Sequence, residues 1–420
     1  MRIFFVLFFQ LLVCYSTQVP ETSVYLHIPF CRRRCGYCDF NTYAGFSHAI
    51  PAYVKALCKE IEIVAALQKD KPPIQTVFFG GGTPSLLSVQ QFGEIFQRLH
   101  ESFEIASATE ITLEANPGTV SLEYLAGLRQ TGFTRISFGM QSAHPQDLAM
   151  LDRQHQFSDV VHAVEWSRQA GFEHINLDLI FGIPGQSVER WQQTLQLAAG
   201  FEIDHLSLYA LTIEEGTPLA MWNQEGVLET VDDDLGAEMY QLACDLLPQY
   251  GFEQYEISNW AKKRSDGLDA RCRHNLNTWR YQPYFGFGAG AHGFIGSTRT
   301  ANTGPIPAYL QRMKNSDGVW PAAEEVEKLT SWEEMQEWMM IGLRLTEEGV
   351  SRKEFLRRFG YRCEQVFERQ LQKCFHAGLL EAAGETQDRI RLTPRGRLLG
   401  NQVFIEFVGN DLPKELRSDQ

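Results

Sequence analysis

The sequence predicts an α/β protein: a partial (β/α)6-type barrel followed by a smaller, mainly helical C-terminal domain of winged-helix type. Three observations lead there. Short β-branched and aromatic runs alternate with longer amphipathic segments from residue 23 to residue 249. Chemically distinctive sequence recurs just beyond the ends of these runs, as it does where strand ends form the site face of a barrel. Beyond Ile257 the alternation stops, and helical periodicity takes over from about residue 325.

The strands are expected at Ser23–Ile28, Thr76–Phe79, Glu110–Glu114, Arg135–Phe138, Ile175–Ile180 and His205–Tyr209. Helical patterns lie between and after them, near 50–68, 89–103, 121–130, 157–170, 188–199 and 233–249. Strands spaced by helices of this length imply right-handed crossovers and a parallel sheet. Residues 259–306 are rich in Asn, Gly and aromatics and show neither period. Helices are expected at Trp332–Leu345, Arg352–Phe359 and Arg362–Ala377, then a short strand at Ile390–Thr393. The expected organisation is an apolar extension over 1–20, a barrel core over 21–255, a linking segment over 256–310 and a C-terminal domain over 311–410.

A net charge of -14, from 38 basic and 52 acidic residues, excludes a broad nucleic-acid footprint. The consecutive Arg32, Arg33 and Arg34 are the obvious candidate for a local basic patch, with a solvated loop the competing reading. Six of the nine cysteines are scattered, which is not the framework of a small disulfide-bonded domain. The other three, Cys31, Cys35 and Cys38, fall on one expected loop after the first strand.

Three thiolates spaced Cys-x-x-x-Cys-x-x-Cys suit an iron–sulfur cluster, leaving one iron open to a small molecule. The competing chemistry is zinc, whose structural sites are closed by four ligands; Cys58 or His27 would have to complete the set. Gly80-Gly81-Gly82-Thr83-Pro84 follows the next strand, where backbone without side chains can approach a ligand closely. Asp178 lies within an apolar strand, so its carboxylate requires a partner, with Arg153 one candidate.

The segment YLHIPFCRRRCGYCDF resembles the cluster loop of radical S-adenosylmethionine proteins, and its wording is similar to their oxygen-independent coproporphyrinogen III oxidase-like family. The resemblance continues through GGGTPSLL, EANPGTV, FGMQS, NLDLIFGIPGQ and LYALTIEEGTPL, from about residue 23 to 405. It implies a radical S-adenosylmethionine barrel, a [4Fe-4S] cluster on Cys31, Cys35 and Cys38, and S-adenosylmethionine on the cluster. It further implies cofactor contacts by Tyr25, Gly80, Gly81, Gly82, Thr83, Glu114, Gln141, Arg153, Asp178 and Ala210.

Within that family HNLNTW, GAGAHG and IGLRLTEEGVS resemble the heme-chaperone members. Their HNxxYW motif is matched by His274-Asn275-Leu276-Asn277-Thr278-Trp279, with Thr278 where the family has Tyr. The resemblance makes His274 the candidate axial ligand to heme, with Cys272 a rival. The dehydrogenases of the family carry a fourth cysteine two positions after the third, and here that position is Phe40. No coproporphyrinogen dehydrogenase activity is therefore expected. The implied partners are heme and an apo-hemoprotein such as a membrane-bound cytochrome; peripheral membrane association and a homodimer stay open. The expected location is cytoplasmic, at or near the membrane surface.

Residues 1–20 hold one Arg and an apolar run from Ile3 to Tyr15, shorter than a bilayer-spanning helix. A mis-called start, a membrane-surface anchor and an export signal are the open explanations, and export sits badly with an oxygen-sensitive cluster.

Overall fold

Six strands run parallel in chain order: β1 (Thr22–Ile28), β2 (Pro73–Gly81), β3 (Glu104–Ala115), β4 (Arg135–Gln141), β5 (His174–Phe181) and β6 (His205–Ala210). The structure is a computed structural model and describes residues 21–409 except 69–71, 229–231, 264–266, 268 and 317. The apolar extension expected over 1–20 lies outside the described residues. Helices α1 (Ile50–Ala66), α2 (Val89–Ser102), α3 (Leu122–Thr131), α4 (Phe157–Gln169), α5 (Val188–Ala199) and α6 (Asp233–Leu246) follow the strands in turn. Their starts are written locally. Ser88 and Gln91 close a capping box on α2, and Ser121 caps α3, which ends at Gly132 in a left-handed turn.

Alternation along β2 sorts its side chains. Val77 and Phe79 face the helices, where Phe79, Phe92 and Phe133 are fully buried in one aromatic cluster. Each such ring contributes roughly 1.5–3 kcal/mol by leaving water. Thr76, Phe78 and Gly80 face the barrel interior, beside His274, Tyr25 and Glu114 respectively.

The sheet does not stop at the sixth strand. Among the described residues it has twelve, adding β7 (Phe252–Glu256), β8 (Asn259–Lys262), β9 (Tyr284–Phe287), β10 (His292–Ile295), β11 (Thr298–Asn302) and β12 (Ala323–Lys328). The order is β12-β11-β10-β9-β1-β2-β3-β4-β5-β6-β8-β7, a mixed sheet whose end strands do not pair, so the barrel stays open. The chain beyond Ile257, which showed no strand period, thus supplies both flanks of the core. Its strands are four to six residues long, and their glycines answer to backbone proximity rather than to a buried face: a Cβ on Gly286 would lie 1.8 Å from the His292 carbonyl oxygen. Two further helices belong to this stretch, α7 (Arg273–Trp279) and α8 (Ile306–Asn315).

The C-terminal region packs α9 (Ser331–Gly342), α10 (Arg352–Phe359) and α11 (Glu368–His376) around a second apolar core. A small antiparallel sheet completes it: β13 (Val350–Ser351), β14 (Leu380–Ala383) and β15 (Arg389–Leu392), in the order β13-β15-β14. The Arg358 guanidinium lies over both Tyr281, next to β9, and Trp338 of α9, at 5.0 and 5.2 Å from their ring centres. Glu337 of α9 accepts from Arg299 of β11, tying this region to the main sheet.

One buried carboxylate holds the loop after β9 against α1. Glu60 accepts from the Gly288 N–H at 2.9 Å, from Asn302 at 2.7 Å and from the Tyr309 hydroxyl at 2.7 Å. Burial nevertheless pushes it up from an ordinary 4.5 to about 7. Because the folded chain then holds a proton that the unfolded chain releases, this group's stabilisation is complete below about 4.5 and lost as pH rises through about 7. Thermal unfolding should therefore show a fall in stability over that window, with Glu60 contributing about 3 kcal/mol. Glu60→Gln should flatten that part of the profile while lowering stability by about 1–3 kcal/mol, since an amide cannot accept all three donors. An unchanged pH slope in the variant would remove Glu60 from the account.

Candidate functional site

The cysteine loop leaves the C-terminal end of β1 and is held by backbone. Gly82 N–H donates to the Ile28 carbonyl at 2.9 Å and Thr83 N–H to the Phe30 carbonyl at 2.8 Å. Cys38 N–H donates to the Cys35 carbonyl at 3.2 Å, turning the loop so that all three cysteines line one cavity of about 680 Å³. That cavity opens at the C-terminal ends of the six parallel strands, the face the strand-end motifs pointed to.

Gly81, Gly82, Thr83, Glu114, Gln141, Arg153, Asp178 and Ala210 line the same cavity. Glu114 ends β3 and accepts the Gly81 N–H at 3.1 Å. Burial, reinforced by nearby Asp178, pushes its carboxyl up to about 8. Asp178 has its partners in Ser137, at 2.7 Å, and Asn176, at 2.8 Å, rather than in Arg153. Arg153 donates instead to the Gly139 carbonyl at 2.9 Å and towards the Cys35 sulfur at 3.6 Å, placing a buried cation beside the cysteine loop. Cys31 receives the Thr83 hydroxyl at 3.6 Å, and burial raises the Cys31 and Cys38 thiols.

The lining fits a polar ligand that both donates and accepts. Gln141 Oε1, Arg153 Nε and His155 Nδ1 are buried at this cavity without a hydrogen-bond partner among the described residues, a costly arrangement for an empty space. Gln141 is also held at φ +64°, a left-handed conformation rarely adopted by side-chain-bearing residues. The three free thiols on one cavity fit a multi-iron cluster, in which each thiolate has its own iron. The zinc alternative fares worse. His27 Nε2 is spent on the Asn41 carbonyl, and the Cys58 thiol points to the Glu94 carbonyl on α2.

Three of the expected site residues are not cavity-lining. Gly80 lies beneath it, where a Cβ would stand 3.0 Å from Glu114 Oε2 and 3.1 Å from the Tyr25 ring. Tyr25 also sits below, its hydroxyl donating to His27 Nδ1 at 3.0 Å. His274 is further away, in α7. Its Nδ1 meets Thr76 Oγ1 at 2.8 Å, its ring stacks on Phe78, and burial holds its pKa down to about 3. Since Thr76 donates onward to Ser23, His274 carries its proton on Nδ1, and Nε2 keeps a lone pair. Only 8% of the residue is exposed. Cys272 is likewise buried, its thiol donating to Glu110 at 3.6 Å. Thr278 turns its hydroxyl back to the His274 carbonyl at 3.1 Å.

His27, which the sequence offered only as a fourth ligand for zinc, organises much of this region. It links Tyr25 to Asn41, whose amide donates to the Ala289 and Gly304 carbonyls, both at 3.0 Å. The signal was present: Tyr25 and His27 are two apart on one strand and so share a face. Tyr37 and Asn116, which stand within the cysteine-loop and EANPGTV motifs, also line the cavity, as do Ser137 and Tyr209, which carried no distinguishing spacing.

This chain matches the family model of the radical SAM superfamily over residues 25–198 and that of the HemN C-terminal domain over residues 329–399. Its fold is that of coproporphyrinogen III oxidase from Escherichia coli, a solved structure 22% identical, with a TM-score of 0.78 over 93% of this chain and 90% of that one. Barrel, cysteine loop and C-terminal domain define the class: a radical SAM protein of the HemN-like type. Among curated relatives, the heme chaperone HemW of Bacillus subtilis is 37% identical over 92% of this chain and 99% of its own length. That of Mycobacterium tuberculosis is 38% identical over 92% and 95%, and that of Escherichia coli 33% over 93% and 99%. The chain belongs to the HemW heme chaperone family.

Gly81 provides a test of the packing against the loop. At φ +110°, an added Cβ would fall 2.4 Å from the His27 ring. Gly81→Ala should displace His27 and with it the cysteine loop, cutting iron and sulfide per reconstituted chain to well under half. Gly45→Ala, at φ +81° with nothing within 4 Å, should cost only about 1 kcal/mol of backbone strain and keep its iron. Equal iron content in the two variants would show that His27 does not support the loop.

Proposed function

We propose that this protein holds a [4Fe-4S] cluster and S-adenosylmethionine in the strand-end cavity, binds heme, and delivers it to an apo-hemoprotein such as a membrane-bound cytochrome. Cys31, Cys35 and Cys38 would hold the cluster, leaving one iron for the cofactor. When bound, this pair supplies one-electron reduction of a sulfonium. The residues of the chain do the remaining work. Glu114 presents an uncharged carboxyl at neutral pH, able to donate as well as accept. Gln141, His155 and Arg153 offer unused polar atoms for orientation, and the buried Arg153 guanidinium offsets thiolate charge.

The observation that carries the chaperone reading over the dehydrogenase one is Phe40. It lines the cavity mouth, 64% exposed, at the position where the dehydrogenases resembled by the sequence carry a fourth cysteine. An exposed aromatic there is suited to holding a flat apolar cargo and letting it go. Among the described residues no helix is long and apolar enough to cross a membrane.

The test uses the chain reconstituted anaerobically. Hemin titration followed by absorbance should give a dissociation constant at or below about 1 μM, equivalent to about 8 kcal/mol of binding. Incubation with coproporphyrinogen III, S-adenosylmethionine and a reductant should give no protoporphyrinogen. Heme-loaded protein mixed with membranes containing apo-cytochrome should restore the cytochrome's spectrum. Turnover to protoporphyrinogen would overturn the proposal in favour of the oxidative decarboxylase.

A further inference from the structure

In a chain of net charge -14, Arg32, Arg33 and Arg34 form a consecutive, exposed cationic run at the mouth of the cavity. Arg33 is paired, meeting Asp152 across the mouth at 2.7 Å. Arg32 and Arg34 have no ion pair among the described residues. Asp39 and Glu214 also line the cavity, so the rim is not uniformly basic. Exposed apolar side chains adjoin the run. Phe40 follows the third cysteine, and the short helix Pro218–Gln224 lies against the loop, with Leu219 N–H donating to the Gly36 carbonyl at 3.0 Å. This contact brings the Trp222 ring within 3.8 Å of where a Gly36 Cβ would be. Trp222 is 39% exposed and its neighbour Met221 58%.

A surface that is cationic on one part and aromatic on the next, at the lip of a cavity, suits a flat apolar molecule with a pair of carboxylate arms. We infer that heme docks on this rim, its propionates on Arg32 and Arg34 and its macrocycle against Phe40 and Trp222. The inference rests on the heme-handling function proposed above and assigns its site. Two physical points favour the rim over α7. Guanidinium groups recognise carboxylates through paired, directional donors, and aromatic faces give contact area at small entropic cost. A carrier must also surrender its cargo to a partner, which an open rim allows; the His274 ring, by contrast, is packed on Thr76 and Phe78 and the residue is only 8% exposed. Continuity with the cavity argues for heme rather than a lipid surface, because the same arginines line the space above the cysteines.

The experiment titrates hemin and its dimethyl ester into the full chain, reconstituted to equal iron and sulfide content in every variant. Arg32→Ser/Arg34→Ser should weaken hemin binding by about tenfold or more, and Phe40→Ser and Trp222→Ala by roughly fivefold each. The dimethyl ester, without free carboxylates, should bind the unaltered chain about as weakly as hemin binds the double arginine variant. His274→Ala should stay within about twofold of the unaltered chain, which separates rim docking from ligation at α7. Rim variants that bind hemin normally, or an ester bound as tightly as hemin, would overturn the inference. So would loss of binding to anionic phosphatidylglycerol vesicles without loss of heme affinity, which would make the rim a membrane contact. Failure of the unaltered chain to bind hemin at all would instead overturn the function on which the inference rests.

Discussion

Close backbone contact around the cysteine loop is the constraint on which the rest of the structure depends. The loop leaves β1, the strand flanked by β2 on one side and β9 on the other. From the β2 side, Gly82 and Thr83 donate into the Ile28 and Phe30 carbonyls. From the β9 side, Gly288 and Gly290 are so near that a Cβ would meet the Tyr53 hydroxyl at 2.5 Å and the Asn41 amide at 2.4 Å. Glycine is required on both flanks because neighbouring backbone and packed side chains occupy the space a Cβ would need. The glycine run at the end of β2 thus serves the protein's own packing first, and only Gly81 and Gly82 also face the cavity.

Filling decides where the cavity lies. Towards the N-terminal ends of the strands the interior is plugged by polar groups that pair with one another, Thr112 Oγ1 and Arg135 Nη2 excepted. Asn176 donates to Ser137, His205 bridges Asn176 and Tyr255, and the buried Arg135 donates to the Ala270 carbonyl. Adding α7 to this plug places His274 and Asn277 against Thr76 and Ser23. Buried polar groups are tolerable only when paired in this way. Towards the C-terminal ends the pairing runs out at Gln141, Arg153 and His155, and the unspent hydrogen-bonding capacity faces open space. The same barrel therefore carries a structural half and a chemical half.

The later part of the chain completes the core rather than standing beside it. Strands β9 to β12 extend the sheet from β1, and Glu60 of α1 binds Gly288 and Asn302 at once. Contacts through Arg358, Glu337 and Arg299 then join the C-terminal helices to that extension. A shift in the C-terminal region would reach the cysteine loop through β9 and Asn41, whose amide holds the Ala289 and Gly304 carbonyls.

The sequence by itself determined the six parallel βα units, their helix starts and the face on which the motifs meet. These depend on local signals: period-2 and helical apolar patterns, capping residues and the spacing of Cys31, Cys35 and Cys38. It also determined the family, since the motif wording runs through the whole core. Only the tertiary structure decided the flanking strands, because YFGF and HGFI carry no alternation and owe their pairing to neighbours far away in the chain. Only it showed Asp178 satisfied by Ser137 and Asn176 while Arg153 turns to Cys35, a choice between partners that spacing cannot make. And only it placed His274 inside the barrel plug and Phe40 at the open mouth, since burial depends on how non-local segments pack and not on the residue or its motif.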